Sequence, residues 1–81
     1  MYPWLLMVSP EEIQRRIEAA LPGAQVVVAD TTGAGDHFDV QVTAVEFAGK
    51  GLVDQHRLVY GALGQLMPAI HALALRTQAP R

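Results

Sequence analysis

The sequence contains no cysteine. This excludes a disulfide framework, a thiolate nucleophile and a thiolate metal ligand, so any metal held by this chain alone must be taken by His, Asp or Glu. Positive charge is also scarce. Six Lys and Arg stand against eight Asp and Glu, for a formal net charge of −2. Bulk attraction to phosphates, which supplies most non-specific affinity for nucleic acid, is therefore missing, and only a local basic patch could replace it. Long apolar runs are absent too. The opening stretch Met1–Val8 is apolar but falls far below the ~20 residues of a membrane span. It lacks a basic n-region, a long h-region and an Ala-x-Ala cleavage site, so it reads as a flexible or locally packed extension. A cytoplasmic protein with no membrane partner is the expectation. With no internal repeat, low-complexity tract or linker, the 81 residues make one small domain with a modest core.

Ser9-Pro10-Glu11-Glu12 has the form of a capping box, with serine at the N-cap, proline at the first helical position and acidic residues at the positive end of the helix dipole. Ile13, Ile17 and Leu21 then recur every four residues, and Pro22-Gly23 stops the helix. The β-branched run Val26-Val27-Val28 predicts a strand over about Ala24 to Ala29. After the turn-rich Asp30–Asp36, strict alternation sets Phe38, Val40, Val42 and Ala44 on one face and His37, Asp39, Gln41 and Thr43 on the other. These two strands should form an antiparallel hairpin. Residues from about Leu52 to Met67, with a break near the start, carry an apolar helical stripe of Leu58, Val59, Ala62, Leu63, Leu66 and Met67 closed by Pro68. A short last strand runs from His71 to Thr77. The expected architecture is α+β, with helices on one face of a small mixed sheet.

The three histidines are the candidates for site chemistry. His37 lies on the polar side of its strand, available as a ligand or simply a surface residue beside a turn. His56 sits at the edge of the helical stripe, where hydrogen bonding to a nearby backbone group is the structural alternative to a surface role. His71 shares the strand parity of Leu73 and Leu75, which suits a half-buried histidine, yet it stands at the strand's start, where it can reach the rim. No His-x3-His pair or mononuclear triad is present, so a self-contained metal site is not expected. Gly61 and Gly64 interrupt the second helical stretch at a cost of about 1 kcal/mol each. They share a side with Arg57 and Tyr60, opposite the apolar stripe, and would let another molecule's backbone approach closely. Gly33-Ala-Gly35 leads into a strand and lacks a P-loop lysine, so it is no nucleotide fingerprint. Asp36 and Asp39 flank His37 without a nearby nucleophile, and Ser9 is used as a cap. No catalytic constellation emerges, and the chain is expected not to be an enzyme.

The segments His37-Phe-Asp-Val-Gln-Val42, Phe47-Ala-Gly49, His56-Arg-Leu-Val-Tyr60 and Ile70-His-Ala-Leu73 resemble, in order and spacing, the successive signatures of BolA-like proteins. The resemblance runs from about Ser9 to Pro80, which divides the chain into an extension, 1–8, and a BolA-like domain, 9–80. It implies an α-β-β-α-α-β fold with a three-stranded mixed sheet, similar to type II KH domains. It also implies two functions. One is an adaptor that pairs with a monothiol glutaredoxin and shares a [2Fe–2S] cluster, held also by the partner's glutathione, in iron–sulfur trafficking or iron homeostasis. In that arrangement the ligands map onto His71 and, because Thr31–Asp36 contains neither Cys nor His, onto His37. The docking surface would comprise His56, Arg57, Tyr60, Gly61 and Gly64. The other function is a DNA-binding transcription regulator using a helix-turn-helix-like segment over about Lys50 to Met67, with Lys50 and Arg57 as its cations. Self-association is left open.

Overall fold

Ser9 caps the first helix, α1 (Pro10–Ala20): its Oγ accepts a hydrogen bond from the Glu12 amide at 3.1 Å, with Pro10 at the helix start. The reciprocal half of the capping box does not form. The Glu12 carboxylate turns instead to Arg15 at 3.0 Å and Arg16 at 3.4 Å, where two guanidinium groups outcompete one backbone amide. The structure, a computed structural model, describes residues 8–81, so the expectation for Met1 to Met7 lies outside it. Val8 is packed into the core, at 4% exposure.

Strands β1 (Gln25–Asp30) and β2 (His37–Thr43) pair antiparallel, with Val27 opposite Gln41. Strand β3 (Ala72–Gln78) pairs parallel to β2, with Phe38 opposite Leu73, giving a sheet ordered β1-β2-β3. The period-2 pattern of β2 is realised as read. Phe38, Val40, Val42 and Ala44 are buried against Ile13, Ile17 and Leu21 from the first helix and Val59 and Leu63 from the second. Phe47, in a 3-10 turn after β2 (Val45–Phe47), and Ile70 close the ends of this core. Among the described residues nothing covers the other sheet face, on which Gln25, Val27, Gln41, Ala72, Ala74 and Arg76 are exposed. The expected α+β fold with a three-stranded mixed sheet is the one observed.

The second helical region departs from its expected form. Helix α2 spans Leu52–Leu63 and starts without a break; the interruption comes at the far end, at Gly64. There the backbone turns to φ 46° and ψ −112°, a conformation that glycine adopts at least cost, and the Gly64 amide donates to the Tyr60 carbonyl. A 3-10 helix follows over Gly64–Ala69. Pro68 therefore lies inside this segment instead of closing α2, and the chain leaves it through the Ile70 amide donating to the Met67 carbonyl at 3.1 Å. The last strand begins at Ala72, one residue later than the alternation suggests, because the His71 amide is drawn out of the ladder to the Asp36 carbonyl.

Candidate functional site

The starts of β2 and β3 lie side by side, with His37 opposite Ala72 in the parallel register. One carbonyl fixes this junction. Asp36 O accepts hydrogen bonds from the His71 amide at 2.8 Å and the Ala72 amide at 3.0 Å. As a result the His37 and His71 rings stack, with centroids 5.3 Å apart and planes 8° from parallel. The His37 side chain is 39% exposed and His71 is exposed, so both reach solvent at the same rim. Asp36 acts on His37 as well, with Oδ2 3.8 Å from Nε2, while the Thr32 hydroxyl donates to Oδ1 at 2.9 Å.

The loop before His37 is folded around a carboxylate. Asp30 Oδ1 accepts from the amides of Thr32 at 3.3 Å and Gly33 at 2.9 Å, and Oδ2 accepts from the Gly35 amide at 2.9 Å. Gly33 and Gly35 take φ of 79° and 75°, which lets successive amides converge on one acceptor. The Thr31 amide and hydroxyl both donate to the His37 carbonyl, at 3.0 and 3.2 Å. The loop thus supplies no ligand of its own but sets where His37 begins.

Two imidazoles on one rim could supply two ligands to a metal. Neutral imidazole is a good ligand for iron, and both rings are accessible. Among the described residues no group of three or more His, Asp or Glu is placed to hold a metal ion, so the remaining ligands would have to come from another molecule. A shared cluster fits this donor set. Asp39 faces the Arg76 guanidinium at 3.9 Å, and Thr31, whose hydroxyl donates to the His37 carbonyl, lines with His37 and Asp39 a shallow depression of about 270 Å³.

On α2, Arg57, Tyr60 and Gly61 are exposed and Val59 and Leu63 are buried, as the helical projection requires. Gly64 lies beside this face but for a conformational reason of its own. At Gly61 an added Cβ would meet nothing within 4 Å, so no contact within the domain demands a glycine there. Gly61→Ala is accordingly expected to stabilise the domain by up to about 1 kcal/mol, seen as a higher urea midpoint. A lower midpoint would mean that the helix is shaped around the missing side chain. Among the described residues, His56 makes no side-chain bond to backbone. Its Nε2 is enclosed without a hydrogen-bond partner, and its ring stands edge-on to Tyr60 at 6.3 Å between centroids. Leu52 and Val53, 61% and 64% exposed at the start of α2, extend the surface in a way the stripe does not reveal. Leu52 has the helical period of Val59 and Leu63 but is exposed at the first turn. The segment Lys50 to Met67 folds as α2 followed, after the turn at Gly64, by a 3-10 helix, and Arg57 sits 3.9 Å from Asp54.

Residues 11–81 match the family described as BolA-like protein. The chain belongs to the BolA-like family. It is 35% identical to human BolA-like protein 2 over 75 residues, covering 90% of this chain and 87% of that one. The DNA-binding transcriptional regulator BolA of Escherichia coli is 30% identical over 79 residues, covering 88% of this chain and 75% of the regulator. Among solved structures, a Bol-like protein from Babesia bovis superimposes with a TM-score of 0.82 at 33% identity, over 91% of this chain and 87% of that one. No helix among the described residues is long and apolar enough to cross a membrane.

Proposed function

We propose that this BolA-like chain is a non-enzymatic adaptor that docks on a monothiol glutaredoxin and lends His71 and His37 to a shared [2Fe–2S] cluster, in iron–sulfur trafficking or iron homeostasis. The observation that supports this reading is the stacked pair of histidines, ring centroids 5.3 Å apart on one open rim, with no group of three or more ligands among the described residues placed to hold a metal. A cluster bound there would be a one-electron centre, and imidazole in place of thiolate raises its potential. The chain's own part is to present two nitrogens in a fixed relation. Asp36 does this by tying His71 to the start of β2 through its carbonyl and by standing beside His37 through its carboxylate. The exposed Arg57, Tyr60 and Gly61 face, with the half-buried His56 behind it and Gly64 at its end, is the docking surface in this reading.

The test is anaerobic mixing with a monothiol glutaredoxin, glutathione, iron and sulfide, followed by visible absorption, circular dichroism and size-exclusion chromatography. The wild type should shift the spectrum of the glutaredoxin's own cluster, whereas His71→Ala should leave that spectrum unchanged and still co-elute. If the wild type neither shifts the spectrum nor co-elutes, the adaptor reading fails. A second reading, DNA binding through Lys50 and Arg57, is favoured by the name of the E. coli relative. It requires affinity that falls steeply with salt and weakens in Arg57→Ala.

A further inference from the structure

Among the described residues, strand β1 has a neighbour on one side only. The phase of its hydrogen bonds is fixed by the Thr31 amide, which donates to the His37 carbonyl one step beyond the Asp30–Phe38 pair. Bonded and non-bonded pairs alternate along an antiparallel ladder, so Gln25, Val27 and Ala29 turn their amides and carbonyls toward β2. Val26, Val28 and Asp30 turn theirs outward. Among the described residues, no backbone hydrogen bond from a helix, turn or loop reaches these three.

Exposed edges are commonly guarded by a charge, a proline or a bulge. Here the register runs without a bulge over Gln25–Asp30, and the segment holds no Pro, Lys or Arg. Its one charge, the Asp30 carboxylate, is turned into the loop by the amides of Thr32, Gly33 and Gly35. Val27, in mid-strand, is 63% exposed. The opposite outer strand is different, since β3 carries Arg76 with a side chain 71% exposed.

We propose that β1 is a strand-addition edge and that its occupant is a second copy of this chain, paired antiparallel about a two-fold axis at Val27. The edge is self-complementary in that register. Val26 falls opposite the partner's Val28 and Val28 opposite the partner's Val26, both as bonded pairs that use the outward groups. Val27 meets the partner's Val27 as the closer, non-bonded pair on the open face. Asp30 falls opposite the partner's Ala24, so no like charges meet across the axis. The Ala24 amide is already committed to the Leu21 carbonyl at 3.0 Å, which limits that outer pair to one bond and ends the ladder there. Two three-stranded sheets become one sheet of six strands. A patch of this length lies at the small end of protein interfaces, so the dimer is a weak one that forms at high protein concentration. His37 and His71 meet at the β2–β3 boundary, away from the axis, and stay open to a partner in the dimer.

The full-length chain should be followed from about 10 µM to 1 mM by sedimentation velocity and by amide hydrogen exchange. The dimer fraction should rise with concentration while the Val26 and Val28 amides gain protection. Val27→Lys sets two like charges opposite each other and should weaken the dimer about tenfold or more, whereas Val27→Thr should retain it. Circular dichroism confirms that both variants are folded. A chain that stays monomeric throughout overturns the proposal, as does a dimer indifferent to Val27→Lys. Protection of the Val26 and Val28 amides already in the monomer also overturns it, because the chain would then cover its own edge.

Discussion

Phe38→Ala is expected to lower the urea midpoint by about 2 M or more and to leave a substantial unfolded fraction in buffer. Phe38 is 2% exposed and lies on the central strand, packed into a core that also takes Ile13, Ile17, Val59 and Leu63 from both helices. Removing a buried aromatic ring costs about 3–5 kcal/mol, part of it lost transfer energy and part the cavity that remains. A domain of 81 residues has about 4–12 kcal/mol to lose. The ring cannot easily be replaced by collapse, because its strand is held on both sides, by Asp30 in β1 and Leu73 in β3. Phe38→Leu retains most of the volume and should cost about 1.5 kcal/mol or less. Urea titrations followed by circular dichroism decide this. If Phe38→Ala and Phe38→Leu share the wild-type midpoint, the core is not centred on β2. The experiment also bears on the site, since His37 is the next residue on the same strand and should lose its place only when the strand melts.

The strand that matters most was readable because its signal is local. Alternation from His37 to Ala44 gives both the strand and the side that packs, and the observed burial of Phe38, Val40, Val42 and Ala44 follows it. Ser9-Pro10 marks the first helix for the same reason, as cap and first turn are set by adjacent residues. What failed was decided by competition. Gly64, Leu66 and Met67 fit a continuing helix by period, but the turn at Gly64 ends α2 and gives the chain the 3-10 path that leads into β3. Glu12 fits a capping box but finds Arg15 and Arg16 within reach.

The site divides in the same way. His37 and His71 were identifiable as candidates, but their stacking depends on the Asp36 carbonyl, a backbone group that no residue pattern displays. The absence of Cys and His from Thr31–Asp36 left His37, at the start of the strand, as the candidate nearest that loop. The parallel pairing with β3 brings it beside His71. Asp30 could have been noticed, because an Asp followed by Thr-Thr-Gly is a signature of side-chain-capped turns. His56 is the converse case. A satisfying hydrogen bond is the ordinary expectation for a half-buried imidazole, and the one at Nε2 is not made.

The loop's hold on His37 gives the second large effect, and the variants of Asp30 isolate it. Asp30→Ala removes the acceptor of three amides at once, those of Thr32, Gly33 and Gly35. Bonds to a charged acceptor are among the stronger ones, but this loop is largely exposed and water can replace the carboxylate, so the loss in stability should be about 1–2 kcal/mol. The effect on the site should be larger than that figure suggests. With its anchor gone, the loop no longer fixes the start of β2, and the stacked geometry of His37 on His71 loosens. In the proposed complex, Asp30→Ala should still co-elute with the glutaredoxin, since the α2 face is untouched, but the wild-type spectral shift should fall severalfold. Asp30→Asn keeps the oxygen that serves Thr32 and Gly33 and gives up the one that serves Gly35, so it should fall between the two. Amide hydrogen exchange at Gly33 and Gly35 supplies the independent reading. Both should exchange faster in Asp30→Ala, and Gly35 alone in Asp30→Asn. If both variants keep the wild-type exchange rates and spectrum, the carboxylate does not organise the loop, and the placement of His37 rests on its pairing with Ala72 alone.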